Sequence, residues 1–186
     1  MNQMENYFKN YFLTIKKSLD SIDVDKLEKI INLITRVSKS KGKVIIFGNG
    51  GSAAIASHLT VDFINAAKIK AMSFNDSSII TCFSNDYGYE NWVKKCIEFY
   101  ADKTDLIILI SSSGESKNMI NAAKFAKVKK IKLITFTGFN KLNKLKKYGN
   151  LNFWVDSKIY NHIENVHQYW LLSLTDLAHF NNKFHN

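Results

Sequence analysis

The first forty residues carry apolar side chains at three- and four-residue spacing, which is the period of an α-helix. The apolar positions are Tyr7, Tyr11 and Ile15 in a first series and Leu27, Ile30, Ile31 and Ile34 in a second. This spacing places the apolar side chains of each segment on one helical face. The pattern predicts two amphipathic helices, over about 4–19 and 24–40, that either cover a core or pair between subunits.

Short runs of aliphatic residues bounded by turn formers recur along the rest of the chain, and such runs are typical of buried strands. The strongest run is DLIILIS. The five predicted strands cover 43–48, 70–74, 105–111, 131–136 and 151–155. The helices predicted around them cover 52–65, 76–83, 88–100, 116–127 and 159–180, with Ser52 as the N-cap of the first. This alternation predicts one α/β domain, residues 1–186, with a mainly parallel sheet covered on both faces.

The formal charge of +10 changes this picture little. Arg36 is the only arginine among the 26 basic residues, so the chain almost lacks the planar forks that recognise bases and phosphates in nucleic acids. We therefore expect a solvated lysine surface and not a nucleic-acid partner. No apolar run is long enough for a signal peptide or a membrane span. Cys82 and Cys96 match no metal or redox spacing, and we expect them to be reduced in a cytoplasmic protein.

Two loops follow predicted strands and are rich in glycine and serine. GNGGS, residues 48–52, follows the first strand, and SSSGES, residues 111–116, follows the third. Ligands of open parallel sheets bind beyond the carboxyl ends of the strands. Glycines allow the backbone to approach a ligand, while serine hydroxyls and helix-start amides donate to anionic oxygens. The two loops predict a site for a small phosphate monoester, the alternative being plain turns.

The nucleotide-binding alternatives fit less well. GNGGSA matches the dinucleotide fingerprint only in its looser form, with Ala53 at the last glycine position, and the chain has no P-loop motif. We therefore expect no nucleotide cofactor.

The motifs GNGGSAA, SNDYGYE (84–90) and ISSSGESKN (110–118), in this order, resemble the SIS (sugar isomerase) domain. Within that family they most resemble the phosphoheptose isomerases, which convert sedoheptulose 7-phosphate to glycero-manno-heptose 7-phosphate. The resemblance extends over nearly the whole chain. It implies a flavodoxin-like, doubly wound parallel sheet of five strands with two extra N-terminal helices over 1–40, and a homotetramer whose active sites lie between subunits.

The resemblance also implies roles for individual residues. The phosphate would be held by Ser52, Ser111, Ser112, Ser113 and Ser116. The sugar would be contacted by Asn49, Gly50, Gly51, Asn85 and Asp86. As a plain turn residue, Asn49 would need no ligand, and Asp86 would equally suit a helix cap.

The chain departs from the family at the residues that handle protons. The family carries a histidine and, four residues later, a glutamate on the helix after the glycine loop, and here these are His58 and Asp62. On the last helix the family has a glutamine and, eight residues on, an acid histidine that is often a zinc ligand. This chain has Glu164 and Leu172 there, and leucine neither transfers protons nor binds metal.

One interpretation is that other residues of this chain take over the role of the missing acid histidine. Glu164 and Asp62 are the candidate bases, and His58, Asp62 and Glu164 form a candidate three-ligand zinc site. His167 lies about one turn beyond Glu164, although a packed or surface histidine is the simpler interpretation.

Two hypotheses follow. The first is a sugar-phosphate aldose–ketose isomerase that acts by enediol proton transfer and serves heptose, nucleotide-sugar, lipopolysaccharide or capsule biosynthesis. The second is a non-catalytic SIS protein that binds sugar phosphates or, like some family members, a replication initiator.

Overall fold

The computed structural model describes residues 2–184, and the side chains of residues 2–180. Five parallel strands form one sheet in the order β2–β1–β3–β4–β5. They are β1 (Val44–Gly48), β2 (Ala71–Ser73), β3 (Leu106–Ser111), β4 (Lys132–Thr137) and β5 (Leu151–Trp154). The doubly wound, five-stranded parallel sheet expected from the sequence is confirmed. The strand order reverses between β1 and β3, which is where such sheets open a crevice at their carboxyl ends.

Seven α-helices are found in the described part of the chain, together with a short 3-10 turn at Leu145–Lys147. They are α1 (Gln3–Asp20), α2 (Val24–Lys39), α3 (Gly51–Asn65), α4 (Ser77–Tyr87), α5 (Trp92–Tyr100), α6 (Lys117–Val128) and α7 (Tyr160–Phe184). The two extra N-terminal helices are confirmed. None of the described helices combines the length and apolar character that crossing a bilayer requires.

The predicted boundary between α4 and α5 is wrong. The sequence predicts helices over 76–83 and 88–100, whereas α4 continues to Tyr87 and α5 begins at Trp92. Asp76 caps α4 by accepting hydrogen bonds from the backbone N–H groups of Ser78 and Ile79. The helix ends at Gly88, whose φ of 82° lies in the left-handed region that glycine adopts readily. The polar run before Gly88 is therefore helical.

Both faces of the sheet are covered, which explains why β3 is apolar throughout. Leu106, Ile108 and Ile110 pack in the core beneath α2, α3 and α7. Ile107 and Leu109 point to the other face, into the core formed with α5 and α6. The helices that follow β1 and β3 thus lie on opposite sides of the sheet. The two segments that lead into these helices therefore diverge at the carboxyl edge of the sheet.

The N-terminal helix packs against the last helix and leaves apolar side chains uncovered. The Tyr11 ring meets the His162 ring edge-on at 4.4 Å, and Trp170 Nε1 donates to the Leu19 carbonyl at 3.3 Å. Among the described side chains of α1, only Ser18 is buried. The exposed apolar residues of this helix are Met4, Tyr7, Phe8, Phe12 and Leu13.

His167 is a core residue. Its side chain is fully buried, its Nε2 donates to the Thr137 carbonyl at 3.1 Å, and the Phe136 ring lies edge-on at 5.6 Å. Burial lowers the pKa of His167 to about 4, against the opposing effect of that hydrogen bond. The simpler interpretation of this residue, a packed histidine, is therefore confirmed.

We expect His167 to make the fold sensitive to acid. The unfolded chain binds this proton below about pH 6.5 and the folded chain only below about pH 4. Between these values the unfolded state binds more protons, so stability falls as the pH falls. Urea unfolding at pH 7 and pH 4.5 should show that wild type loses about 2–3 kcal/mol more than His167→Gln, whose amide still donates. An equal loss in both proteins would contradict this account.

Candidate functional site

The glycine loop turns sharply from β1 into α3. Gly50, with φ 55° and ψ −123°, is the N-cap of α3, a conformation that side chains rarely allow. A Cβ on Gly48 would overlap the backbone of Ser52 and Ala53. The prediction that Ser52 is the N-cap is wrong. Because glycine makes the sharp turn possible at residue 50, the helix starts early and Ser52 is a buried residue inside its first turn.

The serine loop folds around its own hydroxyl groups at the start of α6. Ser111 Oγ donates to Ser116 Oγ at 3.2 Å, and Ser113 Oγ accepts from the Glu115 backbone N–H at 3.2 Å. Ser116 is the N-cap of α6. The loop therefore gathers neutral donors at the positive end of a helix dipole, an arrangement suited to an anion.

A pair of amides joins the two loops. Asn49 and Asn118 exchange hydrogen bonds of 3.1 and 2.9 Å, and Tyr89 Oη donates to Asn49 Oδ1 at 3.3 Å. Asn118 is buried at the start of α6. These contacts fix the loops relative to each other across the β1–β3 crevice. Asn118 and Tyr89 were not predicted as site residues, although both lie within the SIS motifs.

Glu164 on α7 reaches both loops. Ser112 Oγ donates to Glu164 Oε1 at 3.4 Å. The same carboxylate lies against Gly51, where any Cβ would overlap it. A half-buried carboxylate is thus held between the glycine loop and the serine loop.

His58 is held from two sides. Its Nε2 lies 3.4 Å from Asp62 Oδ2, one helical turn along α3, and its Nδ1 lies 3.3 Å from Gln168 Nε2 on α7. Because the amide nitrogen donates to Nδ1, the proton of the neutral ring lies on Nε2, facing Asp62. Gln168 was not predicted as a site residue. Its position one turn beyond Glu164, on the same face of α7, could have indicated it.

A cleft of about 330 Å³ opens beside these groups. Its lining residues are Gly51, Ala54, Ile55, His58, Glu164, Asn165 and Gln168. This volume lies within the range of small-molecule sites, about 300–1,000 Å³. The cleft brings together Gly51, His58 and Glu164, three of the residues singled out from the sequence.

Other candidate residues lie elsewhere. Asn85 and Asp86 are exposed on the last turn of α4, where Asn85 Nδ2 donates to Asp86 Oδ1 at 3.0 Å. Asp86 also accepts from Cys82 Sγ at 3.6 Å, and desolvation together with Asp86 raises the pKa of that thiol. Asp86 therefore does not cap the start of a helix. Leu172 is half-buried and packs against the core beneath α3 and α7.

The donor set does not fit the zinc site considered from the sequence. Among the described side chains, no group of three or more histidine, cysteine, aspartate or glutamate residues is arranged to hold a metal ion. His58 uses Nδ1 toward Gln168 and Nε2 toward Asp62, while Glu164 faces Ser112. The three candidate ligands thus do not converge in one chain.

The fold is that of a doubly wound α/β protein, with its candidate ligand site at the carboxyl ends of β1 and β3. The chain belongs to the SIS domain family, which it matches over residues 7–138. The resemblance stated from its three motifs is therefore confirmed.

Relatives of known name support this assignment. The chain is 37% identical over 114 residues to a phosphoheptose isomerase of Helicobacter pylori strain P12, covering 58% of this chain and 59% of that protein. It is 35% identical over 130 residues to one of Fusobacterium nucleatum, covering 67% and 66%. The alignments thus span about three fifths to two thirds of these relatives.

A solved structure extends the similarity of fold to almost the whole chain. The phosphoheptose isomerase GmhA from Neisseria gonorrhoeae superposes with a TM-score of 0.86, covering 95% of this chain and 99% of that one. At 24% identity, this likeness establishes the fold.

We expect Gln168→Leu to release the His58 ring. Without the amide donor, the neutral imidazole should populate both tautomers, whereas wild type should hold the proton on Nε2. Imidazole nitrogen NMR of His58 measures the two populations directly. Tyr169→Phe is the matched control because Tyr169 is the exposed neighbour on α7. An unchanged His58 tautomer in Gln168→Leu would contradict the assigned contact.

Proposed function

We propose that this protein is a sugar-phosphate aldose–ketose isomerase of the phosphoheptose isomerase type. The observation that carries the proposal is the Glu164 carboxylate, held between Gly51 and Ser112 in a cleft that also contains His58. The names of the curated relatives support the same reaction class.

The reaction requires a base that removes a carbon-bound proton and an acid that manages charge on the oxygens of the enediol. We assign the base to Glu164, because its carboxylate faces the cleft beside both loops. His58 would exchange protons with the sugar oxygens through Nδ1, once the substrate takes the place of the Gln168 amide. Asp62, 3.4 Å from His58 Nε2, would act with it by stabilising the charged ring.

Electrostatics orients the substrate in this proposal. A phosphate dianion next to the Glu164 carboxylate is repelled, so the phosphate end belongs at the far side of the serine loop. There Ser111, Ser113 and Ser116, with the amides at the start of α6, offer donors without a negative charge. Ser112 donates to Glu164 and marks the boundary between the phosphate end and the reacting carbons. Ser52, Asn49 and Gly50 would line the opposite wall.

Isomerase activity can be measured by proton NMR of sedoheptulose 7-phosphate in deuterated water, with and without added zinc. We expect wild type to exchange the C1 proton and to form the aldose. Glu164→Gln should slow the exchange by about 10²–10⁴-fold, the usual contribution of a general base. Asp62→Asn should slow it less, since Asp62 acts through His58. Asp176→Asn, an exposed acid on the same helix, is the control and should leave the rate unchanged.

The alternative function, a non-catalytic sugar-phosphate-binding protein of the regulatory SIS type, is favoured by one observation. Leu172 packs against the core where the family has its acid histidine. The same NMR samples separate the two proposals, because line broadening without exchange supports binding alone and overturns the isomerase. Zinc dependence and a cytoplasmic location stay predictions.

We also propose the homotetramer, with active sites between subunits. The exposed Tyr7, Phe8 and Phe12 on α1 support it, because apolar patches of this kind mark interaction sites. Val61 and Ile64 on α3 are similarly exposed near the site. Burial of these groups by other copies of the chain would close the cleft and exclude water from the reaction.

Light scattering should give a mass about four times the 21.3 kDa of the chain. We expect Phe8→Asp combined with Phe12→Asp to reduce that mass, because two carboxylates would be buried in the interface. Val128→Asp, an equally exposed apolar position on α6, is the control and should leave the mass unchanged. A wild-type mass of one chain would overturn the proposal.

A further inference from the structure

A second cavity lies at the opposite end of the sheet from the candidate active site. It is an open depression of about 310 Å³ between α2 and the first residues of β4 and β5. Its lining residues are Lys29, Asn32, Leu33, Arg36, Lys132, Asn150 and Leu151. The proposed isomerase reaction uses none of them.

The charged lining of this cavity is entirely cationic. Lys29, Arg36 and Lys132 line it, and Arg36 is the only arginine in the chain. Within residues 2–180, whose side chains the structure describes, none of the three forms an ion pair. The lining contains no carboxylate; the Asp23 carboxylate at the N-cap of α2, whose pKa is lowered mainly by hydrogen bonds from Lys26 and also by the charge of Lys29, lies outside it. The cavity thus collects three positive charges without an internal counter-charge.

The uncharged lining adds donors and an apolar floor. Asn150 Oδ1 accepts from the Leu133 backbone N–H at 2.9 Å, which leaves its Nδ2 to donate elsewhere. Asn32 contributes a second amide from α2, and Leu33 and Leu151 supply the apolar surface. This combination suits a ligand that is strongly anionic at one end and less polar at the other.

The number of cations favours a ligand with more than one anionic group. Lys29 and Arg36 are seven residues apart on α2, which corresponds to about 10 Å along the helix axis, and both have long side chains that can bend toward a shared ligand. Two linked phosphates present more oxygens and more negative charge to the three cations than one phosphate does. The Arg36 guanidinium can bind phosphate oxygens in a bidentate manner, and each anion relieves repulsion among the lysines.

We propose that this cavity binds a small ligand with two linked phosphate groups, either inorganic or carried by a nucleoside. The site is independent of the proposed isomerase activity, because it lies at the amino ends of the strands and shares no residue with the catalytic cleft.

Isothermal titration calorimetry with inorganic pyrophosphate tests this site, at about 0.15 M salt so that weak surface attraction is screened. We expect saturable binding of one pyrophosphate per chain, weakened at least tenfold in Arg36→Gln and in Lys132→Gln. Lys39→Gln removes a lysine from the same helix without touching the cavity and should bind like wild type. Ser113→Ala separates this site from the serine loop and should also bind like wild type.

Two results of these titrations would overturn the proposal. The absence of saturable binding overturns the proposal, as does binding that Ser113→Ala abolishes while Arg36→Gln and Lys132→Gln leave it intact. A second titration with ADP identifies the source of the phosphates. Binding tighter than that of pyrophosphate supports a nucleoside diphosphate that also uses the Leu33 and Leu151 floor, whereas equal or weaker binding supports an inorganic diphosphate. Thermal unfolding of each variant confirms that the substituted proteins remain folded.

Discussion

The candidate site depends on the close approach of α7 to the glycine at the start of α3. The Glu164 carboxylate lies against Gly51, and a Cβ at position 51 would force the carboxylate to move. The contact also aligns the two helices in parallel, since Gln168 then meets His58 and His179 Nδ1 lies 2.7 Å from the Ala66 carbonyl further along. The absence of a single Cβ therefore allows both the placement of the carboxylate and the pairing of groups along the cleft.

The two ends of the sheet offer anions different kinds of environment. At the carboxyl edge, serine hydroxyls and the start of α6 provide neutral donors, and Glu164 places a negative charge beside them. At the amino edge, Lys29, Arg36 and Lys132 provide formal charges. Neutral donors discriminate by geometry, as a reacting substrate requires, whereas formal charges attract anions over longer distances and with less directional demand.

The sequence predicted the features that depend on local composition. The strands were predictable because burial on both faces requires continuous apolar runs, and β3 shows this most clearly. The glycine and serine loops were predictable because their residue types serve few other purposes in such positions. The start of α3 and the end of α4 were not, because they depend on the backbone conformations of Gly50 and Gly88. Gln168 and Asn118 act through partners 110 and 69 residues away, and no local pattern reveals such pairs.

Leu172, at the position where the resemblance implies an acid histidine, cannot donate a proton. His167, which lies between Glu164 and Leu172 on α7, is fully buried. Burial lowers its pKa to about 4, so its ring is neutral at physiological pH. Its Nε2 is also committed to the Thr137 carbonyl. The last helix therefore supplies the cleft with a carboxylate and an amide but with no acid of suitable pKa. Under the proposed isomerase function, that role falls within one chain to His58 on α3, whose ring faces the cleft and is held by Asp62 and Gln168. The proposed isomerase thus takes its base from α7 and its acid from α3, and the Gln168 contact fixes the tautomer of the imidazole ring.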